Sequence, residues 1–323
     1  MGAVVGQQHG AVGAREVTRE VHDLEPLQRT RHRHSFFPDR GFCLLCPFPK
    51  RRASGFCQRS VVGTAQEIVV SAEANGVATV TLDRPGKRNA VSLAMWRRLA
   101  ETFSELGSRN DVRVVILTGA GGNFCAGADI SEFSTVRADS RSGRIYEAAN
   151  ESASIAVRDC RKPTIAAISG YGMGGGCALA LACDLRVGDA TTRMGIPAAR
   201  LGVVYGELDC ALLQRQVGLA NAKRVLYTGR AFDAKDCAAM GLLDIVAPDT
   251  ALAGARALAA EMAGNAPLSL AGSKVVLEAL AAGAVSERHA EIAAVIEGSM
   301  NSEDYREGAR AFLEKRKPAF TGR

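Results

Sequence analysis

The chain reads as an α/β protein whose strands run parallel and whose short loops gather at one end. Three observations predict this class. Strand–loop–helix units recur from about residue 110 to residue 190, two of their loops are rich in glycine, and apolar residues make up 47% of 323 positions. A chain of this length and apolar content buries a sizeable core, as one large domain or two small ones.

The elements follow in order from Glu67. EIVVSAEANGVATVTLDRP alternates in polarity around Asn75-Gly76, which predicts a β-hairpin. SLAMWRRLAETFSELG is amphipathic, with Ser92 as its N-cap and Gly107 closing it. VRVVILTG predicts a buried strand, GAGGNFCAGADI a glycine-rich loop, and the polar stretch to about Cys160 a helix. TIAAISG is a second buried strand; it enters the turn GYGMGGG, which opens the apolar helix CALALACDL. From Thr250 onward only helices are expected. The implied organisation is an extension over residues 1–62, a core over 63–250 and a helical region over 251–323.

The net charge of +6 belongs mostly to the extension. Residues 1–62 hold ten Lys and Arg against five Asp and Glu, whereas the remaining 261 residues hold 30 against 29. A near-neutral body has no basic face for a nucleic-acid backbone. Four of the five histidines also lie in the extension, leaving His289 in the body. That argues against a His-rich metal site there, and any Ser-His-Asp triad would have to use His289. The extension itself shows no period of 2 or 3.6 and is expected to be disordered or artefactual, with translation then starting near Val61. His32, His34, Cys43 and Cys46 are candidate zinc ligands by residue type, but their spacing fits no standard finger. The acids Glu16, Glu20, Asp23 and Glu25 argue against a transit peptide. No run approaches the roughly 18 to 20 apolar residues of a membrane helix, and scattered cysteines fit a reducing compartment. A soluble, cytoplasmic protein is expected.

The two glycine loops carry the chemistry. Gly170-Tyr171-Gly172-Met173-Gly174-Gly175 matches G-x-G-x-x-G, a dinucleotide pattern, but it lies 170 residues into the chain. A comparable loop, Cys125-Ala126-Gly127-Ala128-Asp129, ends another strand unit. Two loops that each offer a free backbone N–H, one at a helix N-terminus, can form an oxyanion hole for a thioester carbonyl.

From about residue 66 to the end the chain resembles the crotonase (enoyl-CoA hydratase/isomerase) superfamily. The segments that carry the resemblance are GVATVTLDRPGKRNAVS, VVILTGAGGNFCAGADI, KPTIAAISGYGMGGGCALALACDLRV, LYTGRAFDAKDCAAMGLLDIV and SEDYREGARAFLEKRKPAFTG. The resemblance implies a crotonase-like spiral of repeated ββα units with a C-terminal helical region, assembled as a homotrimer or as a hexamer of two trimers. It implies oxyanion donors at the N–H groups of Ala128 and Gly175. It also implies CoA lying over Lys87, Arg88, Ala126, Ala128, Asp129 and Ile130, with Lys315 and Lys317 reaching its phosphates. CoA would enter as part of an acyl-CoA substrate, with no separate cofactor.

The chain departs from the hydratase pattern at two places. Hydratases of the family carry glutamates where this sequence has Ala178 and Ala198, and a methyl group moves no proton. The hole, being backbone, survives, and decarboxylation of a malonyl-type thioester needs little else. Leu201-Gly202-Val203-Val204-Tyr205 is similar to the methylmalonyl-CoA decarboxylase branch, in which a tyrosine lines the carboxylate pocket. That branch commonly has histidine where this chain has Ala128. Glu207 and Asp209 follow Tyr205 directly, and Glu207 is the candidate displaced acid; Glu147 and Glu151 form another pair. An acyl-CoA-binding pseudoenzyme and a nucleotide-dependent oxidoreductase are the competing classes.

Overall fold

The computed structural model describes residues 67–323; the extension, with its candidate zinc ligands, lies outside the described residues. In chain order the strands are β1 (Ile68–Ala72), β2 (Val77–Leu82), β3 (Val114–Gly119), β4 (Thr164–Ile168), β5 (Tyr171–Met173), β6 (Leu185–Gly188), β7 (Arg193–Gly195), β8 (Phe232–Asp233) and β9 (Ile245–Val246). The helices are α1 (Leu93–Ser108), α2 (Phe133–Val136), α3 (Ser140–Arg158), α4 (Gly175–Ala182), α5 (Glu207–Thr228), α6 (Ala234–Met240), α7 (Ala251–Ala263), α8 (Pro267–Ala281), α9 (His289–Met300) and α10 (Glu303–Leu313).

One sheet runs β1-β2-β3-β4-β6-β9 and a smaller one β5-β7-β8. The β1–β2 hairpin is antiparallel, and every other pair in the large sheet is parallel. β3 and β4 are buried along nearly their whole length, which explains why they read as continuous apolar runs. On one face α1 and α3 cover the sheet through Trp96, Leu99, Phe103, Tyr146 and Val157. On the other, α7 presents Ala251, Ala255, Ala259 and Ala263 to Val114, Ile116, Ile165 and Val187. Four alanines at i, i+4 spacing let the helix approach the sheet closely.

Ser92 caps α1 by accepting from the Met95 N–H at 3.2 Å. Gly107 does not close the helix: it lies buried inside the last turn, where an added Cβ would meet Cys160 Sγ at 3.6 Å. Gly107 is there for close helix packing, and Arg109 is the C-cap. The glycine turn after β4 also differs from expectation, because its first half is strand β5. α7 packs on the sheet, whereas α8 and α9 pair mainly with each other and leave Leu277, Leu280, Ile296 and Met300 exposed.

Candidate active site

The loop after β3 and the strand β5 are held side by side by backbone pairing. The Cys125 N–H donates to Tyr171 O at 2.8 Å, and the Met173 N–H donates to Cys125 O at 2.9 Å. On its other side the loop pairs with Val91: the Val91 N–H donates to Gly127 O at 2.8 Å and the Asp129 N–H to Val91 O at 2.9 Å. In a parallel bridge of this kind the residue between two such bonds, Ala128, turns its own N–H the other way. Gly175 is the first residue of α4, where backbone donors have no intrahelical partner. Among the described residues neither the Ala128 nor the Gly175 N–H has an acceptor.

These two donors belong to one place. A Cβ built on Gly175 would stand 3.8 Å from Ala128 N, and one on Gly127 would stand 3.3 Å from Gly175 N and 2.8 Å from Met173 O. Only glycine at 127, with φ 101°, permits that approach, and Gly174 turns the chain into α4 at φ 55°. The G-x-G-x-x-G run therefore builds a strand and a helix start beside the first loop.

Both donors open on a cavity of about 130 Å³ lined by apolar groups including Trp96, Phe133, Pro197, Ala198 and Val203. Ala198 is in its wall; Ala178 is sealed in α4 and does not line it. Tyr205 does line it, and its hydroxyl lies 3.4 Å from where a Cβ of Gly174 would be. That hydroxyl has no partner among the described residues. Burial holds the Tyr205 phenol well above the ordinary range, so it stays protonated.

The structure separates the two acids that follow. α5 begins at Glu207, and residues two apart on a helix face opposite ways. Glu207 is exposed and lies outside the cavity, so the displaced-acid role expected of it has no geometry to support it. Asp209 is 9% exposed and lines the cavity. Burial, then the charge of Glu151, pushes its carboxyl up to about 6. Glu147 also lines the cavity but is ion-paired with Arg137. Glu151 is exposed and outside it. Burial pushes the Cys177 thiol up to about 12, where it is inert.

The residues expected at CoA divide in two. Ala126 lines the cavity, and Ile130 lines it with 60% exposure. Arg88 is exposed, with its guanidinium 5.3 Å from the centre of the Tyr171 ring. Asp129 is buried and takes Arg84 at 2.9 Å and Lys87 at 2.8 Å. Burial works to raise its carboxyl, but the hydrogen bonds from Lys87, Ser131 and Arg84 outweigh it and hold the group well below the usual range. Its side chain locks the loop instead of facing a ligand, a correction to the sequence expectation. Lys315 and Lys317 are exposed and do not line the cavity. The tail that carries them is fastened elsewhere: Arg113 donates to Phe320 O, and Asp304 accepts from Thr321 N at 2.6 Å and Gly322 N at 2.8 Å.

Sequence reasoning missed the far wall. Trp96 donates to the Tyr146 hydroxyl at 2.8 Å, and the Arg137 guanidinium lies 4.5 Å from the Phe133 ring centre and 4.6 Å from that of Tyr146. The aromatic residues at 96, 133 and 146 were a usable signal, since the chain is only 5% aromatic.

A family model described as enoyl-CoA hydratase/isomerase matches residues 72–323. The chain belongs to the enoyl-CoA hydratase/isomerase family. It is 37% identical to an enoyl-CoA hydratase/carnithine racemase from Magnetospirillum magneticum of known crystal structure, with a TM-score of 0.76 over 80% of this chain and 97% of that one. An enoyl-CoA hydratase from Bacillus anthracis superposes with a TM-score of 0.73 at 31% identity, over 80% of this chain and all of that one. Human enoyl-CoA hydratase domain-containing protein 2, mitochondrial, is 33% identical over 88% of this chain and 99% of its own length. The fold is thus the crotonase fold, and acyl-CoA thioesters are the family's substrates. No helix among the described residues is long and apolar enough to cross a membrane.

Proposed function

We propose that the chain is an acyl-CoA enzyme that forms an enolate at the thioester α-carbon and acts as a lyase or isomerase, not as an ordinary hydratase. One observation supports this reading: two N–H groups without an acceptor among the described residues stand side by side at a cavity whose wall has the Ala198 methyl, where the family resemblance implies an acid in hydratases. Donors aimed at a developing oxyanion contribute roughly 2.7–4 kcal/mol each to the transition state, whereas addition of water also needs a group to activate it. CoA enters as part of the substrate, and the reaction asks for no separate cofactor. The exposed apolar residues of α8 and α9 favour a homotrimer or a hexamer. The six thiols of the described residues are all free, which favours a cytoplasmic setting.

The test is turnover by the full chain of three thioesters: crotonyl-CoA, a 3-enoyl-CoA and methylmalonyl-CoA. Isomerisation or CO2 release with slow hydration supports the reading. Hydration as the fastest reaction overturns it, and binding without turnover of any of the three identifies a pseudoenzyme.

Decarboxylation is the version favoured by Tyr205, whose hydroxyl can donate to a substrate carboxylate beside the hole. Tyr205→Phe then lowers CO2 release from methylmalonyl-CoA while leaving α-proton exchange of a saturated acyl-CoA near its original rate.

A further inference from the structure

The two usual acid positions are alanine, yet enolate chemistry needs a group to take or return the proton at carbon. We propose that Asp209 exchanges that proton with the α-carbon of the bound thioester, in place of glutamates at 178 and 198. This rests on the enolate reading above.

Asp209 is more than nine-tenths buried, and among the described residues neither of its carboxylate oxygens has a hydrogen-bond or ion-pair partner. Every other described carboxylate that is buried to this degree is spoken for. Asp129 is held by Arg84 and Lys87, Asp189 by Ser169, Thr191 and the Ala251 N–H, and Asp304 by Thr321 and Gly322. A buried carboxylate without partners is costly, and it lines the cavity that holds both oxyanion donors and Tyr205. The polar groups around it do not neutralise it. Tyr205 stays protonated, the Cys177 thiol is neutral, Glu151 has the same charge, and Arg137 is engaged by Glu147. The raised carboxyl, about 6, suits both directions of transfer: mostly ionised at neutral pH, and a usable acid once protonated.

The step balances without a further reactant. The α-carbon–hydrogen bond breaks, the proton goes to an Asp209 oxygen, and the electron pair moves onto the thioester oxygen held by Ala128 and Gly175. Return of the proton to the α-carbon restores the substrate, and its delivery to the γ-carbon of an enoyl chain shifts the double bond. In decarboxylation the α-hydrogen stays on carbon: the bond to the carboxylate breaks and its electron pair moves onto the thioester oxygen. The proton that quenches the enolate comes from the protonated fraction of Asp209, which is reloaded from solvent water.

The experiment follows deuterium uptake at the α-carbon of butanoyl-CoA in D2O by mass spectrometry, with binding of the same thioester measured by calorimetry. The full chain is compared with Asp209→Asn, which preserves shape, and with Glu207→Gln. Wild type is expected to exchange, with a rate that rises through an apparent pKa near 6. Asp209→Asn is expected to lose about 100-fold or more with binding little changed, and Glu207→Gln to match wild type. Exchange by Asp209→Asn within about threefold of wild type, or a loss centred on Glu207→Gln, overturns the assignment while sparing the enolate reading. A wild type that binds butanoyl-CoA but never exchanges sinks both. Should Asp209→Asn fail to fold, the wild-type pH profile decides, since a flat profile from pH 5 to 8 overturns the role.

Discussion

The Trp96 ring edge occupies the space that any side chain on Gly175 would need: a Cβ there would lie 3.2 Å from two indole carbons. The ring cannot yield easily, since it is fully buried and its N–H is fixed by Tyr146. Gly175→Ala therefore shifts the start of α4 and moves the Gly175 N–H, the proposed oxyanion donor, off its target. The expected cost is about 10- to 1000-fold in kcat with a much smaller change in KM. Steady-state kinetics on whichever thioester is turned over checks this; an unchanged kcat would show that the Gly175 N–H is not a donor.

Asp209 links activity to stability with opposite signs. Its folded carboxyl titrates near 6, above an unfolded value near 3.9. Below pH 4 both states hold the proton and there is no penalty. Between pH 4 and 6 the unfolded chain ionises while the folded one does not, so stability falls as pH rises and stays reduced above 6. Asp209→Asn removes this penalty and should raise stability at pH 7.5 by roughly 1–3 kcal/mol, with little gain at pH 4. Thermal melts at the two pH values measure the difference. A variant less stable than wild type at pH 7.5 contradicts the burial argument.

Ala198 is the cavity-wall position at which an acid can be restored. Tyr205 and Pro197 share that wall, and the Ala128 and Gly175 backbones line the same cavity. Ala198→Glu is expected to raise crotonyl-CoA hydration at least about tenfold from its starting level, because one correctly placed acid or base contributes about 10²–10⁴ and an unrefined placement recovers part of that. Ala178→Glu, by contrast, forces a charge into sealed helix packing and should lower Tm. Equal hydration by wild type and Ala198→Glu would mean that the position is not within reach of the substrate.

The tail offers a purely structural test. Asp304 is buried and binds the N–H groups of Thr321 and Gly322, while Arg113 ties Phe320 O to the body. Asp304→Ala should release residues 318–323 and cost about 1–3 kcal/mol. Hydrogen exchange would then rise at 321 and 322, with no change at the cavity. Intact protection at 321 and 322 would assign the anchoring to the remaining contacts: Arg113 with Phe320 O, Glu307 with the Ala319 N–H, and the Asp304 N–H with Arg323 O.

The course of the chain was legible wherever burial imposes a simple period. β3 and β4 read as apolar runs because both their faces are covered, and Ser92 marked the start of α1 by its capping chemistry. The close approach of the two glycine loops was legible because Gly127 and Gly174 occupy conformations closed to other residues. Short strands such as β5 and β7 were not, since three residues carry no period and their pairing joins residues 22 positions apart, as Tyr171 with Arg193. The choice between Glu207 and Asp209 was also hidden in composition. It turned on where α5 begins, because a helix starting at Glu207 places one acid outside and the other in the cavity. Arg137 escaped notice for a similar reason: nothing local announces that it will stack on rings at 133 and 146.

The backbone pairing of Cys125 with Tyr171 and Met173 has a consequence for how this chain can change its trade. Amides fixed by main-chain ladders cannot be deleted by exchanging a side chain, and no closing motion is required to assemble them. Variation at a few wall residues can then alter what the cavity accepts while the placement of the Ala128 and Gly175 backbone is inherited intact.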